Sequence, residues 1–288
     1  MKTPGISHED KKKIEVPQPA TAFSSNHFEE HKKEIGTALR LFKNMKILVY
    51  DLGMSAEQIK YVDEHPNLEY RRLKFSRYPP HVKKLTTYAW KTLIWVEVLQ
   101  EFDAITWFDT SMSFSVGQET FIRTVKDYII NKKSSVLMYV HETGHSTAWA
   151  THADMWSYFP SNMTKFGPKE DPSSLMSQAN GVILYNTIDF KENIMKWALL
   201  CVLTEDCIAP YRIDGKQSTK WCPKAIDTQK QPYICHRFDQ SLFSLLAHNY
   251  YFYDKSIYQI QGSSKFLGCP SRDKMKVKKY DDRGIAIN

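Results

Sequence analysis

The chain has 288 residues, of which 42% are hydrophobic and 13% aromatic, enough to bury one large core or two modest ones. A net charge of +7 suits a phosphate-bearing partner, but Lys11–Lys13 and Lys274–Lys279 fall in polar ends that read as solvated tails. There is no nucleic-acid motif, no alternation of basic and aromatic residues, and no apolar run of the roughly 18 residues needed to span a bilayer.

The N-terminal segment Met1–Pro19 is polar and lysine-rich, without the apolar centre of a signal peptide. Ala20–Phe23 is a short apolar run. Ile47–Tyr50 is a continuous one that stops at Asp51 and Gly53, the pattern of a buried parallel strand. Ser55 with Gln58 forms a capping-box start for a helix over Ala56–Glu64. Pro66-Asn67 turns the chain into a strand over Tyr70–Phe75, and Pro79-Pro80 interrupts regular structure after it. Tyr88–Phe102 has helical spacing, and the apolar run Ala104–Phe108 ends at Asp109. Gly117–Asn131 reads as helix, Ser135–Val140 and Val182–Tyr185 as strands, Ile188–Leu203 and Phe238–Tyr251 as helices.

Alternating strands and helices predict an α/β fold with right-handed crossovers and a mostly parallel sheet flanked by helices. Ligands on such sheets collect outside the carboxyl ends of the strands, which is where Asp109 falls. No repeat or linker divides the chain, so a single domain is expected over residues 20–270, with a polar tail before it and a charged tail over 271–288.

All five cysteines, Cys201, Cys207, Cys222, Cys235 and Cys269, lie in the last third. No CxxC pair occurs, which argues against a zinc ribbon. Two disulfides with one free thiol would suit a secretory protein; five reduced thiols would suit a cytosolic one. Asn162-Met163-Thr164 is a glycosylation acceptor if the chain meets the secretory lumen.

Five segments in order carry a resemblance: Thr21–Phe28, Tyr50–Gly53, Tyr88–Lys91, Trp107–Ser111 and His236–Ser241. Together they resemble a metazoan family of uncharacterised-domain proteins, abundant in nematodes, that looks like GT-A glycosyltransferases. The resemblance covers roughly residues 20–251. It implies a nucleotide-sugar fold with the donor held at the end of the fourth strand, a carbohydrate or glycoconjugate acceptor, and a setting in the secretory lumen, in the Golgi.

GT-A enzymes usually carry Asp-x-Asp at that strand end, holding a divalent ion, commonly manganese, against the diphosphate. The ion offsets charge building on the leaving group. Asp109 matches the first acid, but Ser111 replaces the second, and a neutral hydroxyl is a poorer ligand for a hard cation. The resemblance therefore implies metal at Asp109 and Ser111, with Lys91 or nearby arginines as the alternative neutralisers of the diphosphate. Asn26, Lys91, Asp109, Asn180 and Gly181 are the expected donor contacts. Asp239, opening a helix, is expected to touch the sugar or to act as general base on the acceptor hydroxyl. Plainer readings stand beside these: a turn or cap for Asp109-Thr110-Ser111, a solvated lysine, a simple Asn-Gly turn, and a first-turn acid that favours its helix.

Two rival functions remain. His141-Glu142-Thr143-Gly144-His145 matches the HExxH zinc-peptidase motif, which needs a helix to bring both histidines to one metal. The apolar run before it reads as a strand, however, and His152 stands one position beyond a metzincin third ligand. The second rival is a catalytically inactive sugar-binding relative, suggested by the missing second acid.

Overall fold

The computed structural model describes residues 16–140, 142–166, 174–211 and 235–260, together with 7, 9, 267–268, 279–280 and 286–287. A six-stranded sheet is built from β1 (Gln18–Phe23), β2 (Ile47–Asp51), β3 (Leu68–Arg72), β4 (Ala104–Phe108), β6 (Val136–Met138) and β9 (Gly181–Tyr185). Its spatial order is β3-β2-β1-β4-β9-β6. The first four strands are parallel, whereas β9 runs antiparallel to both β4 and β6. The mixed α/β fold with a mostly parallel sheet expected from the sequence is therefore present.

Helix α1 (Phe28–Leu41) links β1 to β2, α2 (Ala56–Glu64) links β2 to β3, and α3 (Ala89–Glu101) leads into β4. The Ser55 capping box is formed with Gln58. Alternation along each strand divides the core. Leu48, Tyr50, Ile105, Trp107, Val182 and Leu184 face one side, while Ile47, Val49, Phe108, Ile183 and Tyr185 face the other. Period-2 geometry requires this of a sheet covered on both faces. Beyond β4, the short strand β5 (Ser113–Phe114), paired with Leu267–Gly268, precedes α4 (Gln118–Lys126), which belongs to the second face.

The first face is covered by α3, by α6 and by α7 (Asp239–Tyr250). We use α6 for three consecutive segments, Ile188–Phe190, the π-helical Lys191–Met195 and Lys196–Val202. Helix α3 is buried almost all round, from Ala89 to Leu99, because it lies between the sheet and the other two helices. No helix among the described residues is long and apolar enough to cross a membrane.

Several details differ from expectation. β1 starts at Gln18, inside the expected polar tail, because the Gln18 amide donates to Lys46 O at 2.8 Å and so stays satisfied while buried. β3 ends at Arg72, not Phe75, since its neighbour β2 ends at the paired Asp51. Phe75–Arg77 instead forms a 3₁₀ turn. Glu142–Ser146 is a strand, β7, paired with β8 (Leu175–Ser177). A disulfide joins Cys201 to Cys207, and Cys235 is also disulfide-bonded; Cys222 and Cys269 lie outside the described residues.

Candidate active site

The chain moves outward from β1 to β2 and β3, then returns to place β4 on the other side of β1. The reversal falls at the carboxyl ends of β1 and β4, the place where ligands collect on sheets of this kind. Three chemistry-bearing side chains meet there. Lys91 comes from the first turn of α3, Asp109 from the residue after β4, and Asp239 from the first residue of α7. The Lys91 ammonium lies 2.8 Å from Asp239 Oδ2, 3.1 Å from Asp109 Oδ1 and 3.3 Å from Ala179 O. Trp107 Nε1 donates to Asp109 Oδ1 at 2.8 Å.

Lys91 and Asp239 side chains are 2% and 6% exposed, while that of Asp109 is 30% exposed. Asp109 is thus the member of the triad that faces solvent. Burial opposes the charge on Lys91, but the carboxylates of Asp109 and Asp239 outweigh it and hold its pKa above the ordinary lysine range. Burial raises the Asp239 carboxyl above the usual carboxylate range, with Lys91 pulling the other way and Asp109 adding to the rise.

Two backbone features aim these groups, and neither was visible in the sequence. Tyr88 (φ 56°) and Phe238 (φ 46°) immediately precede the helices that carry Lys91 and Asp239, and both lie in the left-handed region. Bulky residues rarely adopt it, at a cost of about 1–3 kcal/mol each. Their rings lie 6.2 Å apart. The loop before Asp239 is pinned as well: Ser241 Oγ donates to Ala150 O at 2.8 Å, and Arg237 N donates to Ala150 O at 3.1 Å. His236 accepts from His152 N through Nδ1, so its Nε2 donates to Ile208 O and the ring is neutral. Burial lowers its pKa to about 3.

The other expected donor contacts are Asn180, Gly181 and Asn26. Asn180 O accepts from Asp109 N at 2.8 Å, and Asn180 Nδ2 donates to Gln178 at 3.1 Å. Asn180 Oδ1 is buried with no partner among the described residues. Gly181 is buried at the start of β9, where a Cβ would lie 2.5 Å from Val140 and 2.7 Å from Tyr139; close packing by itself requires glycine there. Asn26 is exposed just beyond β1, its carbonyl accepting from Ser24 Oγ at 2.6 Å. Ser111 is half-buried in the loop after Asp109. That loop is tied to α1, since Thr110 Oγ1 donates to Glu30 at 2.7 Å.

A cavity of about 720 Å³ lies beside the carboxyl ends of β2 and β3. Arg72, Lys74 and Lys83 line it with Asp51, Gly53 and Tyr70. Asp51 shapes its wall by accepting from Gly53 N and Met54 N, each at 2.7 Å, and from Tyr70 OH at 2.9 Å. Two strand spacings, about 10 Å, separate β2 from β4. The basic residues were not legible as a site because they are scattered over 12 positions of unremarkable sequence between 72 and 83.

The described residues do not fit the manganese site expected at Asp109 and Ser111. Asp109 Oδ1 already meets two donors, Oδ2 lies 3.4 Å from the Lys91 ammonium, and the second expected ligand is a neutral hydroxyl. No cluster of three His, Cys, Asp or Glu side chains among the described residues is arranged to hold a metal. Among the described residues, the HExxH segment does not take the form of a zinc site. His141 lies outside the described residues, and the motif continues as strand instead of the helix it needs. Glu142 faces the Lys255 ammonium at 3.3 Å, and His152 caps helix α5 (Ala153–Tyr158) by accepting from Asp154 N.

A sequence family described as "Protein of unknown function (DUF1647)" matches residues 6–96. No curated protein matches the chain by sequence. Among solved structures, the chain is similar to the WbbM bifunctional glycosyltransferase, at 12% identity and a TM-score of 0.45, over 81% of this chain and 38% of that one. It is similar to core-mannan synthase A of Aspergillus fumigatus in its Mn/GDP form, at 10% identity and 0.46, over 63% of this chain and 62% of that one. It is also similar to mouse xyloside xylosyltransferase 1, at 8% identity and 0.47, over 85% and 84%. The chain thus spans less than two thirds of the first two.

Proposed function

We propose that this chain is a glycosyltransferase that moves a sugar from a nucleotide-sugar donor to a hydroxyl acceptor. The observation that carries this reading is the convergence of Lys91, Asp109 and Asp239 at the switch point of a mostly parallel sheet. The basic cavity beside β2 and β3 takes the nucleotide, and Arg72, Lys74 and Lys83 supply the charge that draws phosphate. The donor as a whole, nucleoside, diphosphate and sugar, spans the distance of about 10 Å from β2 to β4 and brings the sugar to Asp109.

In this reading Lys91 is a positioning residue. Its ammonium is enclosed by the two carboxylates and by the rings of Tyr88, Trp90 and Trp107 at 5.5–6.0 Å, so it holds Asp109 and Asp239 and does not reach the diphosphate. Asp109 hydrogen-bonds the bound donor, and Asn180 Oδ1 accepts from a sugar hydroxyl. In the transfer, the bond from the anomeric carbon to the diphosphate oxygen breaks and the nucleoside diphosphate leaves with the electron pair. The acceptor oxygen bonds to the anomeric carbon and its proton passes to Asp239, whose raised pKa suits a base.

Turnover of a panel of nucleotide sugars, with saccharide acceptors and with water alone, tests this reading. The wild-type chain should consume one donor, and Asp109→Asn should lose at least a hundredfold in rate while still folding. Donor consumption that survives Asp109→Asn would remove the site assignment. Donor binding without consumption by the wild type would favour the inactive sugar-binding relative.

A further inference from the structure

At the opposite edge of the sheet, the amino end of β6, a groove of about 750 Å³ is lined by Tyr158, Pro160, Trp197, Asn249, Tyr250 and Phe252. Three of its aromatic side chains are open: Tyr158 is 43%, Trp197 44% and Phe252 89% exposed. Phe252 and Tyr253 are both held in the left-handed region, at φ 51° and 67°. Exposed aromatic faces flanked by an amide suit a saccharide, whose apolar ring face packs on π-surfaces while its hydroxyls bond to amides.

Asn162 stands at the lip of this groove. Its backbone N–H donates to Tyr253 OH at 3.2 Å, and the preceding Ser161 accepts from Asn249 Nδ2 at 2.7 Å. The residue is exposed, and its Oδ1 accepts from both Thr164 N at 3.2 Å and Thr164 Oγ1 at 2.7 Å. The acceptor tripeptide is therefore folded on itself at the surface, with the amide nitrogen having no partner among the described residues. The bonded cysteines Cys201, Cys207 and Cys235 belong to an oxidising compartment, the one in which such acceptors are modified.

We propose that Asn162 carries an N-linked glycan whose first sugars lie over the aromatic groove. The oligosaccharide comes from a lipid-diphosphate-linked donor. A bond forms between its anomeric carbon and Asn162 Nδ2, the carbon–oxygen bond to the diphosphate breaks, the lipid diphosphate leaves with the electron pair, and Nδ2 gives up a proton. The glycan serves as a tethered cover for Tyr158, Trp197 and Phe252. None of this depends on the sugar-transfer reading, so a chain without transferase activity would carry the same glycan.

The test is peptide mass spectrometry on the chain recovered, disulfide-bonded, from the secretory lumen of eukaryotic cells. The expected result is a glycan on Asn162 that is lost in Asn162→Gln and in Thr164→Ala. Hydrogen exchange of the wild-type protein before and after enzymatic removal of the glycan reads the second half, without relying on any variant to fold. Amides around residues 249–257 should exchange several-fold faster once the sugar is gone. An unmodified Asn162 in the lumenal protein would overturn the proposal. A modified Asn162 with unchanged exchange over the groove would overturn the cover and leave that surface to another occupant.

Discussion

At the scale of single residues, the site is organised by one buried cation. Lys91 neutralises two carboxylates that would otherwise repel each other. Removing one partner of a buried ion pair leaves the other uncompensated and costs about 3–5 kcal/mol. Lys91→Met should therefore lower unfolding free energy by about that amount. Adding Asp239→Asn to it should recover part of the loss, because the two substitutions share one interaction. Denaturant unfolding of the wild type, the two single variants and the double variant checks this, and strictly additive losses would show the cluster is not coupled.

Histidine burial makes a second residue-scale prediction. Burial lowers the pKa of His236 to about 3 and, with His65 adding, that of His31 to about 4, from an unfolded value of about 6.5. The folded state holds both rings neutral, so their contribution to stability is whole above pH 6.5 and is lost as the pH falls toward 3 to 4. Between pH 7 and pH 5 each should cost about 2 kcal/mol. His236→Gln keeps one acceptor and one donor without titrating, so its stability should fall less steeply over that interval; a slope equal to the wild type's would exclude His236 as a source.

At the scale of elements, what could be read in advance tracked periodicity. The apolar runs ending at Asp51 and Asp109 marked parallel strands because both faces are buried, and Ser55 with Gln58 marked a helix start through a local exchange of hydrogen bonds. Asp109 and Asp239 were legible as candidates because each lies at the end of a readable element, and the structure brings both to the Lys91 ammonium. Strand direction was less accessible: nothing local to Val182–Tyr185 says that β9 runs antiparallel, since direction is set by how the chain returns to the sheet. The backbone at Tyr88 and Phe238 was hidden for a related reason, as aromatic residues carry no propensity for positive φ and are held there only by tertiary contacts.

Gly181 carries an element-scale constraint that stands whatever its part in donor binding. An Asn-Gly pair before a strand suggested a donor contact, yet the glycine lets Tyr139 and Val140 pack against the start of β9. Gly181→Ala should overpack this junction of β6 and β9 and cost about 1–3 kcal/mol. Chemical denaturation reads the loss. Stability equal to the wild type's would show that the strands separate freely enough to admit a methyl group.

For the molecule as a whole, the distribution of charge decides how a diphosphate could be held. If the chain is the transferase proposed above, two sources are available: a divalent ion clamped by acids at the end of β4, or basic side chains of the protein itself. The acids are already committed to Lys91, while Arg72, Lys74 and Lys83 line an open cavity two strands away. Nucleotide binding should therefore be independent of divalent metal. A ligand at about a hundred times its dissociation constant stabilises by about 2.7 kcal/mol, a rise of several degrees in melting temperature for a chain of this size. Melting curves with UDP and with GDP, each in manganese and in chelator, separate the two sources. The same upward shift with and without manganese, abolished by Arg72→Ala with Lys74→Ala, would place the phosphates on the basic wall. A shift that appears only with manganese would mean that Asp109 gives up its contact with Lys91 to bind the ion, and the internal ion pairs would then be a resting arrangement that the donor displaces.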